Sequence, residues 1–136
     1  MKDRMQTATR ASRTSAIPGA EREGMILSKA VIRAAGFLGL SNKVVARTIG
    51  LSEASASRLR SGDYVISPET KTFELAQLFV RLFRSLDSIV GSDDDTLKSW
   101  MRTPNTALGD RPLDLIQTVP GLVEALRYVD SRRAPL

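Results

Sequence analysis

A chain of 136 residues and 14.9 kDa is one domain, or one domain with a small appendage, and its 42% apolar content is enough for a real core. With aromatic residues at only 5%, that core must be mostly aliphatic. Cysteine and histidine are both absent, which excludes disulfides, Cys/His zinc sites, thiol nucleophiles and imidazole general bases.

The net charge of +5 is unevenly spread: residues 1–62 hold eleven Lys/Arg against four Asp/Glu, and residues 63–136 hold nine against eleven. A basic front half predicts a polyanionic partner there. No apolar run approaches the roughly 18 residues of a membrane span, so no membrane association is expected. The basic N-terminus is followed by no apolar stretch of the kind a secretion signal carries. Together with the lack of cysteine, this predicts a cytoplasmic protein.

Residues 1–22 are rich in Ser, Thr, Ala and Arg and read as a flexible, mildly basic tail, with a DNA-touching arm as the sharper alternative. Met25 to Leu38 carries Ile26, Ala30, Ile32, Ala34 and Phe37 near helical spacing and ends at Gly39. Ser41 is placed to cap a second helix, with Val44, Val45, Ala46 and Ile49 on its buried side and Gly50 as its stop. Ser52 caps a third, with Ala56 and Leu59 facing inward and Gly62 at its end.

Ser67-Pro68-Glu69 reads as the start of a long helix reaching Val90. Its apolar side chains spread over roughly 200° at 100° per residue, wider than a surface helix needs. Such a helix requires two apolar neighbours. One is its own domain, and the other is either the C-terminal region or a second copy of the chain. Ser92 to Asp95 opens a further helix, its carboxylates suiting the positive end of the helix dipole rather than a cation. The stretch TPNTALGDRP is a loop, Pro112 starts a short helix, and Thr118 and Pro120 begin the last one. No segment alternates with period two, so the fold class is all-α: about seven short helices and one long central one.

Residues 23–66 have the make-up of a helix-turn-helix. Ala46 gives a small contact where two helices cross, Gly50 permits a left-handed turn residue, Leu51 plugs the corner, and Ala56 and Leu59 pin the second helix. The pattern resembles the helix-turn-helix of phage-repressor and Cro-like regulators. That resemblance implies a second helix lying in the major groove of duplex DNA with its N-terminal residues at base edges. The residues so placed are Glu53, Ala54, Ser57 and Arg58, with Arg58 suited to guanine O6 and N7, and Ser52 at the cap is also expected on DNA. Ser41, Lys43, Arg47, Ser55 and Arg60 are then expected on phosphates, setting register without reading sequence.

In residues 67–136, Pro104 and Pro112 stiffen the ends of a crossing, Asn105 can bond its own backbone in a tight turn, and Gly109 allows positive φ. Leu108 and Leu113 are expected in the core beside Trp100, and Asp114 is expected to reach backbone N–H groups in the first turn of a short helix. Trp100, Pro104-Asn105, Ala107-Leu108-Gly109, Pro112-Leu113-Asp114-Leu115, Gly121 and Val123 resemble the toxin-binding domain of the Xre/ParS/MbcA antitoxins. Two departures are visible: Asp110 stands where relatives have a second glycine, and the chain closes on Arg132-Arg133-Ala134-Pro135-Leu136.

The resemblance implies an antitoxin whose helix-turn-helix represses its own promoter, and a small C-terminal helical toxin-binding module. It implies a partner of RES-type fold, encoded by the adjacent gene, that consumes or modifies with NAD and whose active site the C-terminal region covers. It also implies a homodimer, for which the central helix is the expected interface. Arg127, Tyr128, Arg132, Arg133 and Leu136 are the expected toxin-contacting residues. An alternative is a free-standing dimeric regulator with no toxin partner. An enzyme is disfavoured, because no carboxylate or lysine pair is spaced as a cleft motif. No cofactor and no metal are expected.

Overall fold

The computed structural model describes residues 19–91 and 93–133. Among these the chain forms seven helices: α1 (Gly19–Leu38), α2 (Asn42–Ile49), α3 (Glu53–Ser61), α4 (Lys71–Val90), α5 (Asp94–Arg102), α6 (Pro112–Leu115) and α7 (Val119–Arg133). No strand occurs among the described residues, and an isolated bridge pairs Asn105 with Asp110. The all-α class therefore holds, with two helices of 20 residues rather than one long helix.

Helix α1 begins six residues before the expected Met25, taking in residues 19–22 of the expected tail; the rest of that tail lies outside the described residues. Glu21 in the first turn suits the dipole there. The buried stripe also has a different phase from the one expected. It runs Gly24, Ser28, Val31, Ala34, Ala35 and Leu38, so that Ala34 is buried as expected while Ile26 is 59% exposed. The cause is the segment after α3, which is laid across α1. Ile66 N–H donates to the buried Ser28 Oγ at 2.9 Å, and Gly24 leaves room for the Ile66 carbonyl.

The α2–α3 corner is built as the residue types dictate. Ser41 Oγ accepts from Val44 N–H, Ser52 Oγ accepts from Ser55 N–H, and Gly50 turns the chain at φ 79°. Helix α4 starts later than Ser67-Pro68-Glu69. Those residues form a preceding turn, and Thr70 is the cap: its hydroxyl donates to the Ser67 carbonyl and accepts from Phe73 N–H. A single hydroxyl that closes the turn and caps the helix outcompetes the Ser-Pro start.

The wide apolar side of α4 is covered by this chain. Helices α1 and α2 pack on one flank and α7 on the other, with α5 beside it. Phe83 stacks on Phe37 of α1, with ring centroids 5.7 Å apart. From α7, Leu122, Ala125, Leu126 and Val129 are buried against it. Each large side chain so buried is worth about 1.5–3 kcal/mol relative to exposure. Of the two candidates for the second neighbour, the C-terminal region is thus the one found, and the breadth of the stripe requires no second copy.

The α1 glycines give a paired prediction. A Cβ at Gly24 would sit 2.3 Å from the Ile66 carbonyl oxygen, whereas one at Gly36 meets nothing within 4 Å. Urea unfolding should show Gly24→Ala less stable by about 1–3 kcal/mol. Gly36→Ala should be more stable by about 0.5–1 kcal/mol. Equal effects of one sign would contradict the packing of 64–66 on α1.

Candidate nucleic-acid interface and toxin-binding module

On the front, α2 and α3 leave a cationic outer surface. Lys43 and Arg47 on α2 are exposed, as are Ser41 and Ser52 at the two caps. A capping hydroxyl accepts from the backbone and keeps its own hydrogen for another acceptor. Glu53, Ala54, Ser57 and Arg58 line the outer side of α3 and are all exposed. Arg58 Nη2 donates to Ser55 Oγ at 3.1 Å, which draws the guanidinium toward the N-terminal half of the helix. That is the end a recognition helix offers to base edges.

Arg60, expected on a phosphate, also makes a contact inside the protein. Its side chain is half-buried, and Nη1 donates to the Leu40 carbonyl in the α1–α2 turn. That bond holds two elements of the protein together. Ser55 is likewise half-buried, its hydroxyl taken up by Arg58.

On the rear, the crossing between α5 and α7 is tied internally. Asn105 N–H donates to the Asp110 carbonyl at 3.1 Å, Asn105 Oδ1 accepts from Leu108 N–H, and Gly109 has φ 88°. Asp110 sits in the extended bridge opposite Asn105, and its carboxylate accepts from Arg111 N–H at 2.7 Å. The position usually held by a second glycine therefore needs none here. Pro112 is buried at the first turn of α6, and Pro104 is exposed. Trp100, Leu108 and Leu113 pack against the core from its edge, half-buried rather than inserted. At Gly121 a Cβ would lie 1.9 Å from the Leu115 carbonyl oxygen, so α7 can approach α6 only through a glycine.

Asp114 does not reach backbone N–H groups as expected. Arg111 grips its carboxylate with Nε at 2.9 Å and Nη2 at 3.1 Å. These bonds hold the Asp114 carboxyl below the usual carboxylate range and raise Arg111. Sequence reading also missed Asp130, which accepts from Arg81 Nη2 at 2.8 Å and Ser85 Oγ at 2.7 Å, tying α7 to α4. Ser85, a polar residue between Leu82 and Leu86 on a buried face, was the available signal.

The outer side of α7 borders a groove of about 630 Å³ lined by Ala107, Leu108, Val119, Pro120, Val123 and Tyr128, with Glu124 and Arg127 at its polar edge. Val119 is 52% exposed, and the Arg132 guanidinium lies 5.6 Å from the Tyr128 ring centroid, at cation–π distance. The Arg133 side chain and Leu136 lie outside the described residues.

A helix-turn-helix with a free cationic face, joined through one core to a helical module with an apolar groove, defines a DNA-binding protein with a second binding surface. Residues 19–81 match the family model of the antitoxin Xre-like helix-turn-helix domain, and residues 85–134 match that of the antitoxin Xre/MbcA/ParS C-terminal toxin-binding domain. The chain belongs to the Xre/MbcA/ParS antitoxins, with DNA and a toxin as its partners. No curated protein matches it. No described helix is long and apolar enough to cross a membrane.

Two measurements check the rear module. The lowered Asp114 carboxyl stabilises the fold above its unfolded value near 3.9. That contribution is lost as pH falls through the lower folded value. Arg111→Ala should move the Asp114 carboxyl titration, followed by carbon NMR, up toward the unfolded value; an unmoved midpoint would contradict the pairing. Asp130→Ala should cost about 0.5–1.5 kcal/mol in urea unfolding, because it removes the bonds from Arg81 and Ser85 that tie α7 to α4. An unchanged midpoint would show that α7 is held by apolar packing alone.

Proposed function

We propose that this antitoxin neutralises a RES-type toxin that consumes NAD, encoded by the adjacent gene, by covering the toxin's active site with its C-terminal region. The observation that carries the reading is the outer face of α7. An apolar groove and the Tyr128–Arg132 stack lie side by side there, next to the exposed Arg127, within the segment that matches a toxin-binding domain. Apolar anchors with arginine and tyrosine are the residue types that carry binding energy in protein interfaces. Arg127 and Arg132 on this face, with Arg133 next in the sequence, would compete for the pocket that takes the phosphates of NAD.

The front half represses the operon by binding its promoter. Arg58, Glu53 and Ala54 read bases, and Lys43, Arg47, Ser41 and Ser52 hold phosphates. Both jobs belong to the cytoplasm, where operon and NAD are found. A homodimer through the central helix would use the groove between α1 and α4, lined by Ile26, Ala30, Phe73, Val80 and Phe83. Binding two successive major grooves requires two recognition helices about one DNA turn apart, roughly 34 Å.

Co-expression tests the proposal. The neighbouring gene alone should arrest growth and deplete NAD, and this chain should restore both. Val123→Asp, at the groove, should abolish rescue while promoter binding persists. Arg58→Ala should weaken promoter binding at least tenfold, on the scale of a lost bidentate base contact, and leave rescue intact. A harmless neighbour that fails to co-purify would leave a free-standing regulator as the correct reading.

A further inference from the structure

Helix α1 ends without a basic residue in its last turn. Its final carbonyls carry the negative end of the helix dipole and need donors from elsewhere. Two are met within the turn: Leu40 N–H donates to the Ala35 carbonyl and Gly39 N–H to the Gly36 carbonyl. The Leu38 carbonyl at the helix end, and those of Gly39 and Leu40 just beyond it, are taken by two guanidinium groups from different parts of the chain.

Arg102, in the last turn of α5, donates Nη1 to the Leu38 carbonyl at 3.3 Å and Nη2 to the Gly39 carbonyl. The same Nη1 is 3.2 Å from the Lys98 carbonyl, which anchors the guanidinium to its own helix. Arg60, from the recognition helix α3, donates to the Leu40 carbonyl. The turn 38–41 is thus gripped from the rear module on one side and from the recognition helix on the other. Ser41, the next residue, caps α2 and so fixes where that helix starts.

We propose that Arg102, a residue of the toxin-binding module, is a positioning residue for DNA recognition, acting with Arg60 through the α1–α2 turn. Neither guanidinium touches DNA in this assignment. Arg102 neutralises the α1 terminus and holds the turn, Arg60 joins the turn to α3, and together they set the angle between α2 and α3. A recognition surface displaced by an ångström loses several of its contacts at once. The helix-turn-helix family match stops at residue 81, yet the fixed geometry of the unit depends on residue 102.

The inference rests on the DNA-binding reading, and salt dependence separates the two. The full chain is titrated onto a duplex of its own promoter across a range of salt concentrations. Each phosphate contact adds about 0.9 to the slope of log K against log salt. Arg102→Ala should bind about tenfold more weakly with an unchanged slope, a scale set by lost charge-assisted hydrogen bonds. Arg60→Ala should do the same, and Arg102→Lys should recover part of the affinity. All are measured well below the melting temperature of each variant.

An unaltered affinity in Arg102→Ala overturns the proposal, as does a slope reduced by about one in either alanine variant, which would mark a direct phosphate contact. Should Arg102→Ala fail to fold, Arg102→Gln is measured instead, and the same outcomes decide. A wild-type chain that binds no duplex at all overturns the DNA-binding reading and this inference with it.

Discussion

The packing of α4 on both of its flanks is the constraint from which the rest of the molecule follows. A 20-residue helix with apolar side chains over roughly 200° of its circumference cannot be satisfied by one neighbour. Phe79, Leu82 and Leu86 are fully or almost fully buried, and the core they belong to runs without a break from Val31 of α1 to Val129 of α7. The two family matches meet inside this helix, at residues 81 and 85. Front and rear therefore share a core that neither could complete alone.

A shared core decides which surfaces remain available. The helix-turn-helix turns its buried residues, Val45, Ile49, Ala56 and Leu59, toward α1 and α4, so its exposed cations face away from them. Helix α7 buries Leu122, Ala125, Leu126 and Val129 against α4 and leaves Val119, Arg127 and the Tyr128–Arg132 stack outside. Polar ties then lock each half to the whole. Asp130 fastens α7 to α4, Ser28 fastens the segment after α3 to α1, and Arg102 fastens α5 to the end of α1. Each uses a charged or buried polar group, so each is costly to break and fixes geometry more than it adds stability.

What the sequence made legible was local chemistry. Ser41, Ser52 and Gly50 do what their types and spacings require within a few residues of themselves. The crossing around Asn105 and Gly109 was equally readable, because its bonds span four or five residues. The phase of α1 was not readable, since Gly24 and Ser28 turn inward only because Ile66 is laid on them from 38 residues away. The α4 start was misread because two adjacent caps competed, and Thr70 won by making a second bond. Arg60, Arg102 and Asp130 find partners 20, 64 and 49 residues distant, beyond any local rule. Asp114 was within reach: Arg111 stands three residues before it, a spacing that brings side chains together on a helix.

The claim that one core serves both halves is tested most directly by equilibrium unfolding in urea with two probes on the same sample. Trp100, the single tryptophan, reports the rear module by fluorescence, and far-ultraviolet ellipticity reports all the helices. A shared core predicts one transition with the same midpoint and slope by both probes. If Trp100 fluorescence changes at a clearly different urea concentration from the bulk of the ellipticity, front and rear are separate folding units and the account built on α4 is wrong.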